Sequence, residues 1–139
     1  MQLEAFLLCD SAANHGGMLS ILGVFDTLSA TSEPIVHRRA AITLRIRFDR
    51  SEEGKHTFSL ILIDADGRPA GPRTDGEAHI IMPPDCDSLA SNLTIDLIPL
   101  VIPRFGAYRL DLILDGELKA GLPLFVRQVA LPGLPAPMG

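Results

Sequence analysis

The chain has 139 residues, 47% hydrophobic and 21% charged, with a net charge of −5. That length suits one domain with a real core. The acidic balance, the lack of Trp and an aromatic share of 5% argue against a general nucleic-acid binder or a stacking platform for single strands.

The first element is LEAFLLC, residues 3–9. Its apolar run ends in Cys9, as a lipoprotein signal does, but Glu4 precedes the run and no Lys or Arg does. The run is also shorter than a secretory h-region, and no other stretch approaches the roughly 18–20 residues that span a bilayer. Met1 therefore reads as the start of a cytoplasmic protein without membrane partners, and Cys9 and Cys86 as free thiols. MLSILGVF, residues 18–25, is the second element. Both are apolar on both faces, which predicts central or covered strands.

Between them, CDSAANHGGMLSILGVFD gathers Cys9, Asp10, Ser11, His15 and Asp26. Ser11, His15 and an aspartate could form a hydrolase triad, and Cys9 with His15 a thiol dyad. Catalysis needs a nucleophile and base within hydrogen-bond reach, an orienting group and an oxyanion donor. Closeness in sequence supplies none of these, and no G-x-S-x-G elbow is present. Asp10-Ser11 and Asn14-His15-Gly16-Gly17 read better as turn chemistry, with short side chains that bond backbone and glycines that permit positive φ. The expectation is a strand end, a Gly-rich turn and the next strand. No catalytic residue is assigned; Cys9, Ser11 and His15 are the candidates to check.

Residues 27–36 (TLSATSEPIV) form the longest irregular connection, a class of segment that tends to be functional or interfacial. AITLRIRFDR then alternates with period two: Ile42, Leu44, Ile46 and Phe48 on one face, Thr43, Arg45, Arg47 and Asp49 on the other. Arg38, Arg45 and Arg47 are a candidate anion or acidic-partner patch. The preferred reading pairs these arginines with carboxylates of a neighbouring strand, such as Asp111 or Asp96.

HTFSLILID turns Phe58, Leu60 and Leu62 inward, EAHIIM turns Ala78, Ile80 and Met82, and SNLTIDL turns Leu93, Ile95 and Leu97. Asp64-x-Asp66-Gly67 and Asp85-x-Asp87 could offer carboxylates to calcium. Calcium takes six to eight oxygens and each run has two acids, so Asp64, Asp66, Asp85 and Asp87 read first as turn residues. The four histidines show no ligand spacing. No metal or cofactor is expected.

YRLDLILD places Tyr108, Leu110, Leu112 and Leu114 on one face; LKAGLPLFVR places Leu118, Ala120, Leu122, Leu124 and Val126. Asp115-Gly116 between them suits a type I′ hairpin. The Pro-rich VALPGLPAPMG, residues 129–139, reads as a flexible tail after a single domain over residues 1–128.

Eight short strands with turn signals and no capped helical stripe predict an all-β antiparallel sandwich, with a closed barrel as its rival. RFGAYRLDLILDGELKAGLPLFV resembles the last hairpin of immunoglobulin-like sandwiches, where a tyrosine hydroxyl caps a loop. The Cys–Trp–Cys core of antibody domains is missing.

LEAFLLCDSA, GGMLSILGVFDTL, RIRF, GAYRLDLILDG and LPLFV occur in an order that resembles a family of small uncharacterised bacterial proteins, a domain of unknown function. The resemblance covers nearly all of residues 2–128. It implies a bacterial, intracellular β-sandwich and supplies no catalytic or ligand residues. The expected function is a non-enzymatic binding or assembly module acting through a sheet face, an edge strand or the 27–36 loop. The alternatives are a hydrolase or thiol enzyme at Cys9–His15, and an anion- or nucleic-acid-binding face at Arg45 and Arg47, although nucleic acid is not the expected partner. Outward Ile61, Ile63, Ile81, Ile98, Ile113 and Phe125 predict self-association as a homodimer or higher, and an unidentified protein partner stays open.

Overall fold

The structure is a computed structural model that describes residues 1–130. Most of the tail expected at 129–139 lies outside the described residues. Eleven strands form: β1 (Gln2–His15), β2 (Met18–Val24), β3 (Thr27–Ala30), β4 (Ile35–His37), β5 (Ala40–Asp49), β6 (Gly54–Ile63), β7 (Thr74–Ile80), β8 (Ser88–Leu97), β9 (Leu100–Ile102), β10 (Gly106–Leu114) and β11 (Glu117–Gln128). Among the described residues a single 3-10 turn, Arg50–Glu52, joins β5 to β6. No helix among the described residues is long and apolar enough to cross a membrane.

The fold is all-β. One sheet has the order β2-β1-β5-β8, the other β3-β11-β10-β6-β7, and β4 pairs with β9 as a small third sheet. Each large sheet keeps two edges, so the barrel is excluded. Period-two alternation builds the core. Ile42, Leu44, Ile46 and Phe48 of β5 face Leu60, Leu62, Leu110, Leu112, Leu114 and Leu124 of the other sheet, all buried. Each such side chain contributes roughly 1.5–3 kcal/mol on burial.

Three expectations change. The eight strands become eleven, because β3, β4 and β9 are too short to show a period. β3 and β4 occupy most of the segment read as an irregular loop, and β3 runs parallel to β11 in an otherwise antiparallel sheet. Leu118 is 62% exposed, not inward. Leu112 pairs with Ala120 but Ile113 with Leu118, so Lys119 bulges and flips the register before it.

The outer face of the five-stranded sheet carries an ion pair that the sequence misassigned. Asp111, 7% exposed, accepts from Arg109 Nη2 at 2.9 Å and from Arg109 Nε; it meets no arginine of β5. Gly121 lies directly opposite Asp111. A Cβ there would stand 2.6 Å from Arg109 Cδ and 3.0 Å from Asp111 Oδ1, so the missing side chain leaves room for the Arg109 stem beside the carboxylate.

Candidate functional site

The stretch from Cys9 to Asp26 folds as an arm. β1 pairs with β5 over Gln2–Cys9 and with β2 over Cys9–His15, so the strand runs through the residues read as a turn. Only Gly16 and Gly17, with φ of 54° and 84°, make the reversal. The arm folds back over the four-stranded sheet. Its tip reaches β8, where Asn92 Nδ2 donates to the Gly17 carbonyl at 3.0 Å. Beneath it Cys9, Ala41 and Thr43 point away from the core yet are 0–1% exposed. Leu19 and Ile21 of β2 are half-buried, while Met18, Leu22 and Val24 are 69%, 67% and 58% exposed. Of the two expectations, central or covered, the first fails: β2 is an edge strand with Leu19 and Ile21 partly covered. An arm packed by long-range contacts makes both faces of MLSILGVF apolar without placing it inside the sheet.

The arm does not assemble a catalytic set. The Cys9 thiol donates to the Ala41 carbonyl at 3.4 Å and lies 3.6 Å from Thr43 Oγ1. His15 is exposed at the far end of the same strand, roughly 15–20 Å away by the strand rise. Ser11 pairs in register with Leu22 and has no hydrogen bond to a histidine among the described residues.

Arg45 and Arg47 do pair with a carboxylate, but it is Glu4 of β1. Arg45 Nε donates to Glu4 Oε1 and Arg47 Nε to Glu4 Oε2, both at 2.9 Å. Arg45 Nη1 donates to Asn92 Oδ1 and Arg47 Nη1 to Ser88 Oγ, both on β8. The Arg47 hydrogen bond pulls the Glu4 carboxyl below its usual range. This patch is a cross-strand clamp in which Glu4 neutralises one of the two positive charges. Arg38 stands apart, exposed between β4 and β5.

Asp64 is a turn residue in full. Its Oδ1 accepts from the Asp66 and Arg68 amides at 2.9 and 3.0 Å, and its carbonyl from Gly67 N. Asp85 and Asp87 are exposed on the loop before β8, where Arg50 holds the Pro83 and Cys86 carbonyls. No three His, Cys, Asp or Glu side chains converge among the described residues.

One concavity among the described residues is something that sequence reasoning missed. A cleft of about 500 Å³ opens at one end of the sandwich between residues 64–70 and residues 103–108. The first wall is pinned by the Asp64 turn and by Ala70 N donating to the Leu62 carbonyl at 2.8 Å. The second is pinned by Tyr108, whose hydroxyl donates to the Arg104 carbonyl at 2.8 Å, and by Glu33, which accepts from Phe105 N at 2.7 Å. Arg68 and Arg104 line the cleft beside Asp64 and Asp66, and neither guanidinium has a hydrogen bond or ion pair among the described residues. The available signal was the Tyr108 resemblance, which pointed to a loop worth clamping.

At the opposite end, His56 of β6 sits against Phe48, ring centroids 4.8 Å apart. Its Nδ1 is 2.6 Å from Asp115 Oδ2 and its Nε2 is 2.6 Å from the Glu52 carbonyl. Burial is the largest influence and pushes the His56 pKa down; the bonds to Glu52 and Asp115 outweigh it, so the net shift is upward.

The model of a family of unknown function (DUF6941) matches residues 4–127. The chain belongs to that family. No curated protein and no solved structure matches the chain. The DUF6941 match begins at Glu4, the clamp of Arg45 and Arg47, and ends in β11, so it takes in the arm, the clamp and both walls of the cleft.

Proposed function

We propose that this protein is a non-enzymatic binding module of immunoglobulin-like build, working in a bacterial cytoplasm, whose end cleft takes an acidic group. Arg68 and Arg104, which line one cleft from two pinned loops without internal partners among the described residues, carry the reading; of the two carboxylates that also line it, Asp64 is engaged by the Asp66 and Arg68 amides. Guanidinium forks match carboxylate and phosphate oxygens, and pinned walls lose little entropy on binding. The Tyr108 clamp supports the immunoglobulin-like build. Two free thiols, Cys9 buried and Cys86 half-buried, suit a reducing compartment. The enclosed Cys9 and its distance from His15 favour binding over chemistry. Titration with citrate and with inorganic phosphate, followed by amide NMR, should shift residues 64–70 and 104–108 saturably. Arg68→Gln with Arg104→Gln should abolish the response. Unmoved cleft amides, or a response that survives both substitutions, would refute the cleft.

Assembly is the second reading, carried by the free edge of β2. Met18, Leu22 and Val24 are exposed there. Between Asp10 and Asp26 the chain has no Asp, Glu, Lys or Arg, although it carries a net charge of −5 overall. Two acidic copies repel least at this edge, and edge strands invite pairing. The occupant proposed is a second copy, in antiparallel pairing about a two-fold axis. Light scattering should give a dimer mass for the native chain and a monomer for Leu22→Lys. A native monomer at every accessible concentration, or a dimer indifferent to Leu22→Lys, would remove this reading.

A further inference from the structure

The sandwich is not closed along its β7–β8 side. β7 begins only at Thr74 and β8 ends at Leu97. Between them a pocket of about 170 Å³ enters the space between the sheets. Its inner wall is Ile42, Leu60, Leu62 and Leu110, all 0–6% exposed. Its outer wall is formed by Leu97 and two prolines, Pro72 and Pro99. Thr74 is the one polar side chain in the lining, and its hydroxyl has no hydrogen bond among the described residues.

Protein interiors close such spaces by side-chain interdigitation, and water gains little from an aliphatic lining. A dry apolar cavity of roughly 150 Å³ is known to hold a benzene-sized group. The rim here is apolar as well. Ile98 and Val101 are 60% and 45% exposed, and Val36, which pairs with Val101, is 57% exposed. Single exposed aliphatics are ordinary, but Val101 lines this pocket, Ile98 lies in the chain between its lining residues Leu97 and Pro99, and Val36 is the strand partner of Val101. The lining has no aromatic ring for stacking, and it follows β6 over successive inward positions Leu60 and Leu62, which pair with Leu112 and Leu110. That shape suits a chain laid along a strand.

We propose that this pocket binds the alkyl chain of a small amphiphile, with about six carbons inside by its volume and the polar head at the mouth beside Thr74. It shares no lining residue with the Arg68–Arg104 cleft, so each site stands or falls by itself.

The test uses the full chain with leucine methyls labelled for NMR, titrated with sodium octanoate below its micelle concentration and, separately, with acetate. Octanoate should shift the methyls of Leu60, Leu62, Leu97 and Leu110 saturably; acetate, which has the head without the tail, should shift none. Leu97→Phe fills the pocket and should weaken octanoate binding about tenfold or more. Arg104→Gln should leave it unchanged. The proposal fails if octanoate leaves these methyls in place or acetate moves them equally. It fails too if Leu97→Phe, with a native-like spectrum, binds as the parent does. Should Leu97→Phe not fold, the octanoate–acetate comparison on the parent chain decides.

Discussion

Phe48→Ala is expected to lower the stability of the fold by about 3–5 kcal/mol, the range for truncating a buried aromatic. Phe48 is the largest of the fully enclosed side chains among the described residues, 1% exposed, near the end of β5 beside residues of both sheets. The neighbouring void among Phe48, His56, Phe58 and Leu114 is only about 10 Å³, so the surroundings are already tight and a deleted ring leaves a cavity. The substitution also takes away the face against which His56 stacks. Since domains of this size are stable by only about 5–15 kcal/mol, the loss is a large fraction of the total. Urea unfolding should show a lower midpoint with an unchanged slope. Phe125→Ala is the control: Phe125 is 43% exposed on β11 and should change stability by about 0.5–1 kcal/mol. Equal effects at the two positions would contradict the burial of Phe48 in the core.

Phe48 was legible because strand alternation is local. Each of Ile42, Leu44, Ile46 and Phe48 could be assigned inward from its neighbours alone, and each is buried. The same logic failed where burial depends on distant chain. Leu19 and Ile21 are covered because an arm folds back over β5 and β8, which no period in MLSILGVF encodes. Leu118 turned outward through a bulge at Lys119, and a bulge leaves no mark in an alternating string. Family membership was legible from the order of LEAFLLC, GVFDTL and GAYRLDLILDG, and the match over residues 4–127 agrees. Arginine partners were not. Charge pairing was foreseen for Arg45 and Arg47, but Glu4 is chosen by β1–β5 register, a property of the assembled sheet. The end cleft was hidden for the same reason: Arg68 and Arg104 come from loops that meet only once β6 and β10 pair.

Asp115 shows a turn residue with a second task, and its partner predicts an alkaline loss of stability. Asp115-Gly116 is the tight turn read from the sequence, with φ of 50° and 82°. The Asp115 carboxylate also accepts from Thr57 N at 2.9 Å and faces His56. Both neighbours of the His56 ring, a carboxylate and the Glu52 carbonyl, only accept. A neutral imidazole has one N–H and satisfies one of them; the imidazolium satisfies both. Other charged groups at this corner are the Glu52 carboxylate, occupied by the Met1 amino group and the Asp49 amide, and Lys119 against the Met1 carbonyl. The His56 pKa therefore rises on folding above its ordinary 6.5. A raised pKa contributes stability that is complete below the unfolded value and is lost as pH climbs through the folded one. Asp115 behaves oppositely. Burial, its largest influence, raises its pKa, but the bonds from His56 and Thr57 lower it further, so its contribution holds above the ordinary 3.8 and fades only in acid. Urea midpoints at constant ionic strength should be highest near pH 5–6 and fall by about 1–2 kcal/mol in stability toward pH 9. His56→Gln cannot titrate and should flatten that decline, whereas His79→Gln, at an exposed edge-strand histidine, should leave it intact. A decline that persists in His56→Gln would place the titrating group elsewhere and break the assignment.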